Sequence, residues 1–322
     1  MRTLTTWLVA VVTVGILATA WNVQAATYTV TSSADSGEGT LRDRVENDAG
    51  INDTIVFDPS VTHITLTSGI IVFPHTGMTV DGGGTVTIDG NASDRIFSAS
   101  GQSNTRFIGL TLTNAMTTGQ GAAIVVGGNA SGTIISNCVI AHCHAGTDGG
   151  GFWQKKFGFS VVDSVFSNCT AGGIGGAIGR HDTSANDTVL PIERCTFAYN
   201  HAGTSGGAID NHAKEYRLSI RDCTFHHNTS GGDGGALHYR TSGVDGVWDE
   251  HLIEDCTFYA NSATNNGGAI YLDNDAGIVV LRNCTISGNS ALTGAGGGIY
   301  QSGSPRIGAY NCTIVSNDAD SA

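Results

Sequence analysis

The hydrophobic positions of this chain come in very short runs. Two or three alternating apolar residues are followed by a polar or glycine-rich break, again and again, as in Leu218-Ser219-Ile220, Cys223-Thr224-Phe225 and Ala236-Leu237. Alternation over so few residues reads as half-buried strand and leaves no room for a helix. The breaks recur as well. Gly175-Gly176-Ala177-Ile178 returns as Gly206-Gly207-Ala208-Ile209, Gly234-Gly235-Ala236-Leu237, Gly267-Gly268-Ala269-Ile270 and Gly296-Gly297-Gly298-Ile299, with looser copies at Gly149 and Gly121. A second motif, Cys195-Thr196-Phe197-Ala198-Tyr199-Asn200, interleaves with it. Its copies begin at Cys223, Cys256, Cys284 and Cys312, and a variant begins at Cys138. Successive glycine motifs lie 26 to 33 residues apart. That is a solenoid period, too short for a propeller blade of about 40 residues. No unit holds the helical pattern that leucine-rich or ankyrin repeats need.

Each unit reads as three strands: the Ala-Ile segment after the glycines, a segment such as Leu218–Ile220, and Cys223–Phe225 after a bend at Arg221-Asp222. The expected fold is all-β, a right-handed parallel β-helix (solenoid) with a short N-terminal helical cap. In such a stack equivalent residues sit about 4.8 Å apart, the strand spacing. Ile140, Phe166, Phe197, Phe225, Phe258, Ile286 and Ile314 then form an inward hydrophobic ladder. Glu193, Arg221, Glu254 and Arg282 alternate in charge up one outward column, which avoids like charges in contact. The residue before each Cys is Asn137, Asp222, Asp255, Asn283 or Asn311, types that tolerate the left-handed conformation of a tight bend. Arg194 breaks that column. Loops inserted after the first strand, such as 183–188 and 241–249, should project from one side.

The ends differ from the repeat. Residues 1–25 read as a signal peptide: Met1-Arg2 is basic, Trp7 to Ala20 is apolar, and Val23-Gln24-Ala25 resembles a cleavage site. Residues 26–80 read as cap and entry strands, with a short amphipathic helix at Gly39–Val45 and strands near Thr54–Phe57 and Ile64–Thr67. Residues 81–322 are the repeats. The sequence stops just after a third strand, which is read as a truncation, and an uncapped last coil is expected to fray or self-associate.

Composition narrows the partners. A formal charge of −13 argues against nucleic acid or an anionic membrane. Apolar residues at 40% can fill a core, and 46 glycines without a collagen period agree with many turns. No second apolar stretch is long enough to span a bilayer, so the mature chain should have no transmembrane helix.

The alternating glycine-glycine-alanine-isoleucine and Phe-x-x-Asn tetrapeptides resemble the repeats of polymorphic outer membrane proteins. Phe197–Asn200, Phe225–Asn228 and Phe258–Asn261 match the second motif, and Ile286–Asn289 and Ile314–Asn317 match with Ile for Phe. Leu41-Arg42 and Asp53–Pro59 are similar to CSLREA-type β-helix proteins of bacterial surfaces. The resemblance implies export to the outer membrane or cell surface and a role as adhesin or passenger scaffold, with an extracellular polysaccharide or host surface as partner.

Candidate chemistry concentrates in the position after each Ile: Trp153, Gly179, Asp210, His238, Tyr271 and Tyr300. On an exposed face these aromatics offer sugar-stacking platforms, or they stack on one another as a structural ladder. Trp153, Asp210, His238, Tyr271 and Tyr300 are therefore the candidate ligand-binding residues. Asp210 beside His238, with Arg240 close by, are the weak catalytic candidates. Glycoside hydrolysis usually needs two flanking carboxyls, and this column has one. Asp182 and Asp273 are expected on loops several coils apart. A non-catalytic reading therefore leads, with a lyase or hydrolase of acidic polysaccharide as the alternative. Cys143 and Cys169, where other coils have Asn, are the one pair considered for a disulfide; the other cysteines read as a ladder of packed thiols. The remaining histidines, His142, His144, His181, His201, His212, His226 and His227, read as solvated turn residues in separate columns. No CxxC occurs, so no zinc site is expected. Gly231–Gly235 superficially matches calcium-binding nonapeptides, but the nine-residue period is absent. No cofactor is expected.

Overall fold

The computed structural model describes residues 24–320 apart from 157, 183–187, 214–215, 242–249, 275–277 and 304–305. All but the last two residues of the expected leader lie outside the described residues. Among the described residues no helix is long and apolar enough to cross a membrane. Parallel strands stack into three sheets of 19, 9 and 8 strands. One central coil shows the plan. Tyr216–Arg221 runs into a left-handed corner at Asp222 (φ 52°), then Thr224–His226, a second left-handed corner at His227 (φ 54°), Thr229–Ser230, a glycine turn and Leu237–Thr241. The sequence reading of three strands per unit therefore needs correcting. Its second and third strands are one face of the long sheet, bent at a single residue, and the two-residue strand after the Asn builds the 8-stranded sheet. Two residues are too few to show alternation, which is why that strand was not foreseen.

Coils stack in register. Phe166, Phe197, Phe225, Phe258, Ile286 and Ile314 pair up the long sheet. The rings of Phe197, Phe225 and Phe258 lie 4.8 and 4.6 Å apart and nearly parallel, spaced by the strands that carry them. Glu193, Arg221, Glu254 and Arg282 share the expected column, with Arg221 Nε 3.4 Å from Glu254. Asn137, Asp163, Arg194, Asp222, Asp255, Asn283 and Asn311 all have φ between 51° and 54°. Arg194 breaks the column in type but not in conformation.

The Asn of the second motif forms a buried ladder. Asn228 Nδ2 donates to Phe197 O of the preceding coil and to Asn261 Oδ1 of the following one, both at 2.9 Å. Its own Oδ1 accepts from Asn200 N at 3.1 Å and Asn200 Nδ2 at 2.9 Å. Every buried polar atom of the amide is thus satisfied. Cys143 and Cys169 continue this column, and the bridge considered between them is not made: all eight cysteines are free thiols. In-register stacking keeps the Cβ vectors parallel rather than convergent. Cys143 Sγ instead faces Leu112 O at 3.9 Å, and Cys169 Sγ faces Ile140 O at 3.5 Å, where an Asn would place its amide. Burial pushes the Cys169 thiol well up toward the protonated form, and Cys138 in the longer column up to about 11.

The N-terminal end is covered. Thr40 caps a helical turn at Leu41–Asp43, which widens into a π turn at Arg44–Asp48. The helical segment is thus shifted toward the C-terminus of the expected Gly39–Val45. Leu41 and Val45 are buried in the core, and Glu46 accepts from Val72 N at 3.0 Å, capping an edge strand. The entry strands are Thr54–Phe57 and His63–Thr65.

Candidate functional site

The strands Phe152–Gln154, Ile178–Asp182, Ile209–Ala213, Leu237–Thr241, Ile270–Asn274 and Ile299–Gly303 lie side by side in the 9-stranded sheet. Trp153, Gly179, Asp210, His238, Tyr271 and Tyr300 share one column as expected. Their exposure is not as expected. Trp153 is 5%, Asp210 0% and His238 8% exposed; only the two tyrosines of the set are partly open. The glycine turn is the cause. It folds back over the first outward residue of the strand it feeds. At Gly206 (φ +63°) a Cβ would lie 2.3 Å from Ile209 O and 2.8 Å from Asp210 Cβ, so only glycine lets the turn come this close.

Under that turn Ser205 Oγ donates to Asp210 Oδ2 at 2.5 Å, and His238 Nδ1 meets the same oxygen at 2.7 Å. Oδ1 of Asp210 is buried without a partner. Burial disfavours the imidazolium of His238, but the charge and hydrogen bond of Asp210 outweigh it and hold its pKa above the usual histidine value. The serine donates to the carboxylate and not to the imidazole, so the order of groups does not activate a nucleophile.

The next outward column reads His181, His212, Arg240, Asp273 and Ser302. The rings of His181 and His212 are 4.9 Å apart, and Arg240 Nε lies 3.4 Å from Asp273 Oδ2. Burial lowers the pKa of His212; Asp210 opposes this, while Arg240, His181 and His238 reinforce it. Two expectations are corrected here. His181 and His212 share a column instead of lying scattered, and Asp273 is a strand residue next to Arg240 instead of a distant loop carboxylate. Loop insertions separate these residues unevenly in sequence, which hid their alignment.

The aromatic rings are used up on one another. His238 lies 5.0 Å from Tyr271, and Tyr271 stacks on Tyr300 at 5.3 Å and 19°. Ring faces point along the solenoid axis, so a ligand on this surface meets ring edges and hydroxyls. Behind the sheet lies a polar file that the sequence reading missed. Arg180 is wholly buried and donates to Asn211 Oδ1 at 3.1 Å. Tyr239 Oη is 2.9 Å from His251 Nδ1, which also accepts from Leu218 N. The signal was present: Gln154, Arg180, Asn211 and Tyr239 stand two residues after an inward apolar residue, where strand alternation directs a side chain into the core.

Elsewhere, a hollow of about 710 Å³ on the long sheet is lined by Arg106, Ile134, Phe159, Ser160, Val189 and Pro191 among others. Among the described residues no three His, Cys, Asp or Glu side chains converge as metal ligands. In the segment compared with calcium-binding repeats, Asp233 Oδ1 is taken by the backbone and side-chain N–H groups of Asn266, both at 3.0 Å.

Parallel strands in register around a closed core define a β-helix. Residues 211–321 match the protein-family model described as right handed beta helix region. The match takes in His212, His238, Arg240, Tyr271 and Tyr300 and leaves Trp153 and Asp210 outside. No curated protein matches the chain.

Proposed function

We propose that this is a secreted or cell-surface bacterial β-helix protein, a non-catalytic adhesin or passenger scaffold that holds an extracellular polysaccharide on the 9-stranded sheet. The observation behind this reading is the register of His181, His212 and Arg240 in one outward column. Over adjacent coils the outward positions change into groups that donate and accept hydrogen bonds, at the roughly 4.8 Å strand spacing. An extended sugar chain, with hydroxyls on every residue, is suited to such a surface. The resemblance to polymorphic outer membrane repeats and CSLREA-type proteins supports the location. The test is binding to a glycan panel by calorimetry. Arg240→Ala and His212→Ala should abolish it, and Arg221→Ala on the long sheet should not. Unchanged binding in both site variants refutes the reading.

One observation favours a second reading. Asp210 fixes His238 through Nδ1, the arrangement that readies Nε2 as a general base. Against it, Asp210 is buried and Asp273 is engaged by Arg240, so neither carboxyl of these two columns is free to act as one of a flanking pair. Turnover of pectins or alginates, with or without calcium, that is abolished by His238→Ala would replace the binding reading with a lyase or hydrolase.

A further inference from the structure

A separate feature lies at the corner between the long sheet and the 8-stranded sheet. His226 is the last residue of Thr224–His226, and His227 is the left-handed corner that follows. Neighbouring side chains of an extended strand point to opposite faces. The positive φ of His227 removes that alternation, and both imidazoles leave the same side of the chain. Their Nδ1 atoms lie 3.1 Å apart.

Two tyrosines hold them there. Tyr199, one coil before, stacks on His227 at 4.8 Å and 21°. Tyr259, one coil after, stacks on His226 at 5.0 Å and 11°. Tyr199 is 53% and Tyr259 37% exposed, so the pair opens to solvent. Two neutral imidazoles this close share one proton, one nitrogen donating and the other accepting.

We propose that His226 and His227 form a bidentate site for a divalent transition-metal ion, closed by water on its open side. With metal–nitrogen bonds of about 2.0–2.1 Å, a 3.1 Å separation subtends about 98° at the metal. That lies between the square or octahedral right angle and the tetrahedral value. The nitrogen ligands select copper(II), with nickel(II) and zinc(II) weaker, and disfavour calcium, which takes oxygen. The site is independent of the glycan-binding reading, since it occupies another face.

The column supplies its own substitutions. Ala198 is the in-register neighbour of His226, and Asn168 holds the His227 corner two coils earlier at φ 53°. His226→Ala and His227→Asn should therefore keep the fold, checked by circular dichroism. The metal-free full chain is titrated with copper(II) chloride, followed by calorimetry and electron paramagnetic resonance. The expected result is one site with two imidazole nitrogens bound. Either variant weakens it at least tenfold and removes the two-nitrogen signature, and His201→Ala leaves it intact. Copper binding with unchanged affinity and signature in His226→Ala, or no two-imidazole site in the native chain, overturns the proposal.

Discussion

Replacing Asn228 by alanine should damage the stack more than its single side chain suggests. The change deletes four hydrogen bonds: two donated by Nδ2, to Phe197 O and Asn261 Oδ1, and two accepted by Oδ1 from Asn200. Not every partner is orphaned. Asn261 Oδ1 keeps the backbone N–H of residue 228. The backbone N–H of Asn200 and one of its side-chain N–H groups lose their acceptor in a site that is 0% exposed. At about 1–3 kcal/mol for each buried unpaired donor, the loss is about 2–6 kcal/mol. That is a large part of the stability of an ordinary domain. Asn228→Cys should cost less, because a thiol already serves at Cys169 and faces a carbonyl of the coil before. Chemical denaturation followed by circular dichroism gives the global effect, and hydrogen exchange at the Asn200 amide gives the local one. A loss under about 1 kcal/mol for the alanine variant, with Asn200 still protected, would show that the ladder contributes packing only.

Three further outcomes follow from the same register. Phe225→Ala removes a fully buried rung and should cost about 3–5 kcal/mol by denaturation; a cost under about 1 kcal/mol would contradict the inward assignment. Arg221→Glu should be less stable than Arg221→Ala, since Glu193 and Glu254 are its column neighbours; exposed pairs are worth at most about 1 kcal/mol, so the gap should close in high salt, and equal melting points in low salt would refute it. His251 is buried, and its pKa is depressed from 6.5 to about 4 by burial first and then by Arg217. The unfolded chain therefore takes up its proton first. Stability should fall as the pH drops from 6.5 toward 4, by about 3 kcal/mol; His251→Gln should flatten that slope, and an unchanged slope would exclude His251 as its source.

The sequence was most legible where the repeat is strict. The Phe, Cys and Glu–Arg columns fall in the expected register because a period-two strand leaves each residue only two faces to choose from. The corner conformation was legible too, and Arg194 shows that position in the coil outweighs residue type. Exposure was not legible. Asp210 and His238 count as outward by alternation, yet a turn from the same coil closes over them. That coverage depends on how far Gly206 lets the backbone approach, which pattern alone does not reveal. The alignment of His212, Arg240 and Asp273 was hidden by insertions of unequal length. The fourth strand of each coil was too short to carry a pattern. The buried file of Arg180, Asn211 and Tyr239 was readable from alternation but was missed, because polar residues do not announce themselves as core.

The direction of the hydrogen bonds sets how this molecule answers to force. Strands run around the solenoid, so their bonds lie along its axis, each coil held by the next. Tension applied along the axis loads only the bonds between two coils at a time, and they part like a zipper. A load across the axis must shear many together. Pulled from its ends, the chain should give way coil by coil. A 28-residue turn such as Asn200 to Asn228 would release about 90 Å of chain each time. A rod of this kind is stiff sideways and yields lengthwise in steps, so it sheds load gradually instead of failing at once.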